Sequence, residues 1–215
     1  MAKEKRNYSK RDASEFNKFR TFWQILVCGW IYMFWYKVVY RLEVYGRENV
    51  PEDNEYIVCA NHLSNLDPPL LCAILPRRVS FMAKKELFDK PLLRWWMDWL
   101  GAFAVNREKL GASTIKTAMS IKKTDWVLGL FPQGTRGEYG VIKNVSKGFA
   151  NLAKVTKCGI LPIGILGTQE KKKLPFSGKI IVKIGEVIPY SDNVEDMVKS
   201  WIASIEKLTG FKYEE

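Results

Sequence analysis

Short apolar runs alternate with stretches of helical periodicity along most of the chain. The runs Leu42–Tyr45, Tyr56–Ala60, Val79–Ala83, Ala102–Val105, Trp126–Phe131, Ile160–Leu166 and Ile180–Ile188 read as strands. Between them, Pro68–Leu75, Lys90–Leu100, Leu110–Lys122 and Ser146–Thr156 carry apolar residues at helical spacing, and Val194–Leu208 is a last amphipathic helix. This alternation predicts an α/β fold: a single domain with a central mostly parallel or mixed sheet flanked by helices. At 215 residues the chain fits one domain with a sizeable core. It holds no internal repeat, and its linker-like stretches, 46–54 and 169–178, are short.

The N-terminal region departs from this pattern. Residues 1–20 carry Lys3, Lys5, Arg6, Lys10, Arg11, Lys18 and Arg20 against Glu4, Asp12 and Glu15, a basic and polar lead-in. Residues 21–36 then contain no charge, and Lys37 is the one interruption before Arg41. Sixteen helical residues span about 24 Å, short of the roughly 30 Å hydrocarbon core, although Lys37 can snorkel and extend the reach. Trp23, Trp30, Tyr32, Trp35, Tyr36 and Tyr40 suit the headgroup boundary. We read residues 21–41 as a membrane-anchoring helical segment, either a short span or a helix lying in one leaflet. It precedes a domain at 42–215, and the basic side is expected at the cytoplasmic face of the membrane. A second tryptophan-rich helix, with Trp95, Trp96 and Trp99, is either another membrane contact or core packing.

Charge and rare residues narrow the chemistry. A formal net charge of +11 favours an anionic partner. The lysines are dispersed and no nucleic-acid recognition motif is present, so nucleic acid is not expected. Cys28, Cys59, Cys72 and Cys158 lie far apart among apolar neighbours and read as buried, reduced thiols. His62 is the single histidine, so zinc sites needing two imidazoles are excluded and any imidazole catalysis falls to it.

His62 stands in Asn61-His62-Leu63-Ser64-Asn65-Leu66-Asp67-Pro68-Pro69, directly after a predicted strand and before a predicted helix. Asp67, five residues on, cannot share a regular helical face with His62. A turn can fold its carboxylate back onto the imidazole, fixing the tautomer and stabilising the imidazolium. A second polar cluster, Phe131-Pro132-Gln133-Gly134-Thr135-Arg136, follows another apolar run. Gly134 permits unusual backbone angles near a ligand, Thr135 offers a hydroxyl, and Arg136 can grip a phosphate with paired hydrogen bonds.

Together, NHLSNLD and FPQGTR resemble the N-H-x4-D and F-P-E-G-T-R blocks of glycerolipid acyltransferases, above all the 1-acyl-sn-glycerol-3-phosphate acyltransferases. Gly101–Arg107 resembles the G-x-x-x-x-x-R block and Ile160–Ile163 the late hydrophobic-proline block. Lys84, in MAKKEL, and Lys147–Ala150 fall where the family has similar residues. The resemblance covers roughly residues 45–170, with Gln133 where the family usually has Glu. It implies lysophosphatidic acid as acceptor, acyl-CoA or acyl carrier protein as donor, phosphatidic acid as product, and no metal or other cofactor. By the same resemblance His62 is the general base held by Asp67, and Arg136, Lys84 and Arg107 meet the phosphate. Asn61, Gln133, Gly134 and Thr135 then shape the acceptor pocket. Glycerol 3-phosphate or another lysophospholipid as acceptor, and a non-catalytic lipid-binding relative, are the alternatives.

Overall fold

The computed structural model describes residues 8–105, 111–169 and 178–215. Seven strands form one sheet in the order β1-β8-β7-β2-β5-β3-β4. They are β1 (Glu43–Tyr45), β2 (Tyr56–Ala60), β3 (Arg78–Lys84), β4 (Phe103–Val105), β5 (Trp126–Leu130), β7 (Gly159–Leu166) and β8 (Ile181–Ile184). Strands β7, β2, β5, β3 and β4 run parallel, while β8 is antiparallel to β7 and carries β1 parallel to itself. The run expected as one strand over 180–188 therefore ends early, and Ile188 returns only as an isolated bridge to Ile160. A small pair, β6 (Val141–Ile142) with β9 (Lys212–Tyr213), has no counterpart in the hydrophobic pattern.

Alternation along β2 divides the interior. Ile57 and Cys59 face one core with α5 (Ala112–Lys122), α6 (Gly148–Thr156) and α7 (Val194–Thr209). Tyr56, Val58 and Ala60 face the other with α3 (Asp67–Ile74). Burial on both faces explains why the central strands read as nearly continuous apolar runs.

The second core also holds Val27, Cys28 and Tyr36. These belong to one continuous helix, Lys18–Val39. It is built of α1 (Lys18–Gln24), a π-wound stretch (Ile25–Tyr32) and α2 (Met33–Val39). Residues 21–41, expected as a segment of their own, thus share the domain's core along one side. The opposite side exposes Phe19, Phe22, Trp30, Ile31 and Phe34.

Residues 8–17 are also bound to the domain. Arg11, read from sequence as part of a basic, polar lead-in, is 2% exposed. It bonds the Ala102 carbonyl at 2.7 Å and pairs with Glu15 and with Asp98 of α4 (Pro91–Trp99). Removing one partner of such a buried pair costs about 3–5 kcal/mol, so this segment fastens α4 to the sheet. Trp95 and Trp99 of α4 pack against Trp23 at 6.4 and 6.2 Å between ring centroids. Leu92 remains exposed, so α4 combines core packing with an open apolar edge.

Candidate active site

The connections leaving β2 and β5 diverge. After β2 the chain enters α3 on one face of the sheet; after β5 it enters α6 on the other. Adjacent parallel strands whose connections part in this way open a crevice at their carboxyl ends. The two polar blocks singled out in the sequence are the two lips of that crevice.

Asp67 opens α3, followed by Pro68 and Pro69, whose missing N–H groups are no loss in a first helical turn. The turn before it points backbone amides at the carboxylate: Leu63 and Ser64 both donate to Asp67 Oδ2 at 2.7 Å. The same oxygen accepts from His62 Nδ1–H at 2.8 Å. Three donors on one oxygen compensate a buried carboxylate and orient it. The Asp67 side chain is 0% exposed and that of His62 12%, so the imidazole rather than the carboxylate is open at this edge. With its proton on Nδ1, the neutral imidazole presents the lone pair of Nε2.

Aromatic packing fixes the ring plane. His62 stacks on Phe131 at 4.1 Å, and Phe131 stacks in turn on Phe81 at 5.4 Å. From below, Trp201 Nε1 donates to the Cys59 carbonyl at 3.0 Å, and Tyr36 Oη donates to the Leu66 carbonyl at 2.7 Å. Tyr36 joins the N-terminal helix directly to the loop between His62 and Asp67. Sequence reading gave Trp201 and Tyr36 no part in the site and Phe131 only a place in the FPQGTR block, since an aromatic residue in an apolar run carries no mark of the contact it makes. Burial pushes the Cys59 thiol well above its usual range, which removes the nearest cysteine as a nucleophile.

The second block is laced to the first. Gln133 Oε1 accepts from the His62 amide at 3.1 Å, and the Gly137 amide donates to the His62 carbonyl at 2.8 Å. Gln133 is buried and shapes the loop; the one hydrogen bond it is seen to accept is equally available to a glutamate. Gly134 sits at φ 68°, the left-handed region that favours glycine, where its amide closes a turn onto Phe131. Thr135 and Arg136 are exposed beyond that turn, and Lys84 is exposed at the end of β3. Among the described residues neither Arg136 nor Lys84 takes part in an ion pair. Arg107 lies outside the described residues. Asn61 is placed differently from the expectation of a pocket residue: its amide exchanges two hydrogen bonds with the Ile165 backbone, at 2.9 and 2.7 Å, and stitches β2 to β7. The carboxyl edge thus gathers His62, hydrogen-bonded to Asp67, with the exposed cations Arg136 and Lys84 to one side.

Comparison with known proteins identifies the family. The family model described as Acyltransferase matches residues 41–166. The 1-acyl-sn-glycerol-3-phosphate acyltransferase of Bacillus subtilis is 33% identical over 152 residues, covering 70% of this chain and 75% of that protein. Its namesake from Streptococcus pneumoniae is 34% identical over 151 residues, covering 69% of this chain but 56% of that protein. Among solved structures, the lysophosphatidic acid acyltransferase PlsC of Thermotoga maritima superposes with a TM-score of 0.71 at 26% identity, covering 87% of this chain and 78% of that one. The family model spans both lips of the crevice and more than half of the chain, and on that ground the chain belongs to the acyltransferase family.

Proposed function

We propose that the protein transfers a fatty acyl group from acyl-CoA or an acyl carrier protein thioester to the sn-2 hydroxyl of lysophosphatidic acid, forming phosphatidic acid. The observation that carries this reading is the 2.8 Å bond between His62 Nδ1 and buried Asp67, which leaves Nε2 at the crevice. Nε2 takes the hydroxyl proton as that oxygen attacks the thioester carbonyl carbon. The tetrahedral intermediate collapses with cleavage of the C–S bond, and the imidazolium returns the proton to the departing thiolate. A thioester is already activated, so a positioned alcohol needs no acyl-enzyme intermediate. The transfer as written uses no cofactor beyond the thioester.

Arg136, with Lys84 and Arg107, holds the acceptor's phosphate. For an exposed arginine, loss of a charge-assisted contact costs about 1.4 kcal/mol, or tenfold. Arg136→Ala should therefore raise the KM for lysophosphatidic acid about tenfold and leave the donor KM unchanged. Steady-state kinetics with lysophosphatidic acid, glycerol 3-phosphate and a lysophospholipid lacking a free phosphate monoester check both the residue and the acceptor. An unchanged acceptor KM removes Arg136 from the phosphate site, and preference for another acceptor replaces the one named here.

Attachment to the bilayer is part of the proposal, since both substrates carry acyl chains. The exposed side of Lys18–Val39 supplies it by lying in one leaflet while the buried side stays on the domain, and its basic flanks favour the cytoplasmic face. Trp30 and Phe34 are 71% and 67% exposed, so replacing both with serine spares the fold. Each buried aromatic is worth roughly 1.5–3 kcal/mol. The doubly substituted protein should partition at least about tenfold less onto anionic vesicles; undiminished partition contradicts this orientation.

A further inference from the structure

Two consecutive polar side chains at the end of β7 have no part in the mechanism above. Gly167 turns the chain there, at φ 87°, where an added Cβ would stand 2.1 Å from the Lys179 carbonyl oxygen. Thr168, next in the chain, is 2% exposed. Its Oγ1 and the buried Oε1 of Gln169 have no hydrogen-bond partner among the described residues. An unsatisfied buried oxygen costs roughly 1–3 kcal/mol, and most such groups in folded proteins are paired.

Their place gives these two groups a use. β7 lies beside β2 in parallel register, with Ala60 opposite Ile163, so Thr168 and Gln169 share the carboxyl edge that carries His62. They stand on the β7 flank of that edge; Arg136 follows β5 and Lys84 ends β3 on the opposite flank. Exposed Arg136 and Lys84 thus lie to one side of His62; to the other, among the described residues, lie the partnerless oxygens of Thr168 and Gln169 and a lysine, Lys179, whose charge is paired with Glu43. The acceptor's phosphate belongs with the cations. The remaining substrate brings an uncharged arm of amide groups next to its thioester, common to coenzyme A and acyl carrier protein.

We propose that Thr168 and Gln169 form the subsite for this amide-bearing pantetheine arm. Gln169 Oε1 accepts an amide N–H, and the Thr168 hydroxyl donates to an amide carbonyl. The assignment rests on the acyl-transfer reading and adds to it where the donor lies.

The test compares three thioesters of one fatty acid: acyl-CoA, acyl-pantetheine, and the thioester of mercaptoethanol, which lacks the amide arm. A neutral hydrogen bond is worth roughly 1–1.5 kcal/mol, so Thr168→Val should raise the donor KM about tenfold for acyl-CoA and acyl-pantetheine alike. The loss should disappear with the mercaptoethanol ester, the acceptor KM should not move, and Thr168→Ser should restore donor binding. Because the hydroxyl has no partner among the described residues, Thr168→Val should not lower the Tm; should that variant fail to fold, Gln169→Leu makes the same comparison. Equal loss with all three donors, a shifted acceptor KM, or no loss at all overturns the subsite. Calorimetric titration with desulfo-coenzyme A reads the subsite without turnover. Binding to wild type that weakens about tenfold in Thr168→Val supports it, even in an enzyme silent towards every thioester. No binding to wild type overturns the subsite, whereas silence with binding intact counts against the reaction.

Discussion

His62→Ala should fold and yet transfer acyl groups at least about 100-fold more slowly than wild type, since general-base help contributes roughly 10²–10⁴-fold. The side chain is partly open and its principal packing is one face against Phe131. Losing an aromatic stack costs about 0.5–1.5 kcal/mol, small beside a domain stability of roughly 5–15 kcal/mol. The substitution also leaves Asp67 with its two backbone donors, Leu63 and Ser64, so the turn keeps its own hydrogen bonds. Turnover at saturating acceptor, read beside the thermal transition, separates chemistry from folding. Activity above a hundredth of wild type in a folded variant would exclude His62 as the base.

Asp67→Asn should lower kcat by about 10–100-fold, the kinetic equivalent of the roughly 1.5–3 kcal/mol of a hydrogen bond to a charged group. An asparagine oxygen in the place of Oδ2 still accepts from Leu63 and Ser64, so the loop survives. What disappears is the negative charge that stabilises the imidazolium as the proton arrives. The new NH2 occupies the place of Oδ1, a buried atom with no partner among the described residues, and some stability is lost with it. In the proposed mechanism Asp67 acts through His62, so the two substitutions should not multiply: the double variant should be no slower than His62→Ala alone. Multiplicative rates would mean that Asp67 has a separate role.

The fold was largely legible because five of the strands run parallel with both faces covered, which leaves long apolar runs between turn residues. β6 and β9 were not legible: a two-residue pairing has no period to read. Strand order was not legible either, since it depends on which face each helix covers. With it went the reason why the polar loops after β2 and β5 meet. His62, Asp67 and the FPQGTR block could be named as a constellation from their order along the chain. Residue types alone could not show that Asn61, inside the same block, joins β2 to β7. Arg11 belongs to the same class: a basic residue in a basic stretch reads as solvated until its partner, Asp98 on α4, is brought beside it by the fold. For Thr168 and Gln169 a signal existed, a glycine and two polar residues where a buried run ends, but such signals are common at strand ends and gain meaning only beside a crevice.

The central claim is tested most directly by incubating the full-length protein in mixed micelles with lysophosphatidic acid and isotopically labelled acyl-CoA or acyl carrier protein thioester, and determining the product by mass spectrometry. Labelled phosphatidic acid with the new chain at sn-2 is the predicted result. Retained binding of lysophosphatidic acid with no labelled phosphatidic acid from either donor would contradict the account and make the protein a lipid-binding relative of these enzymes.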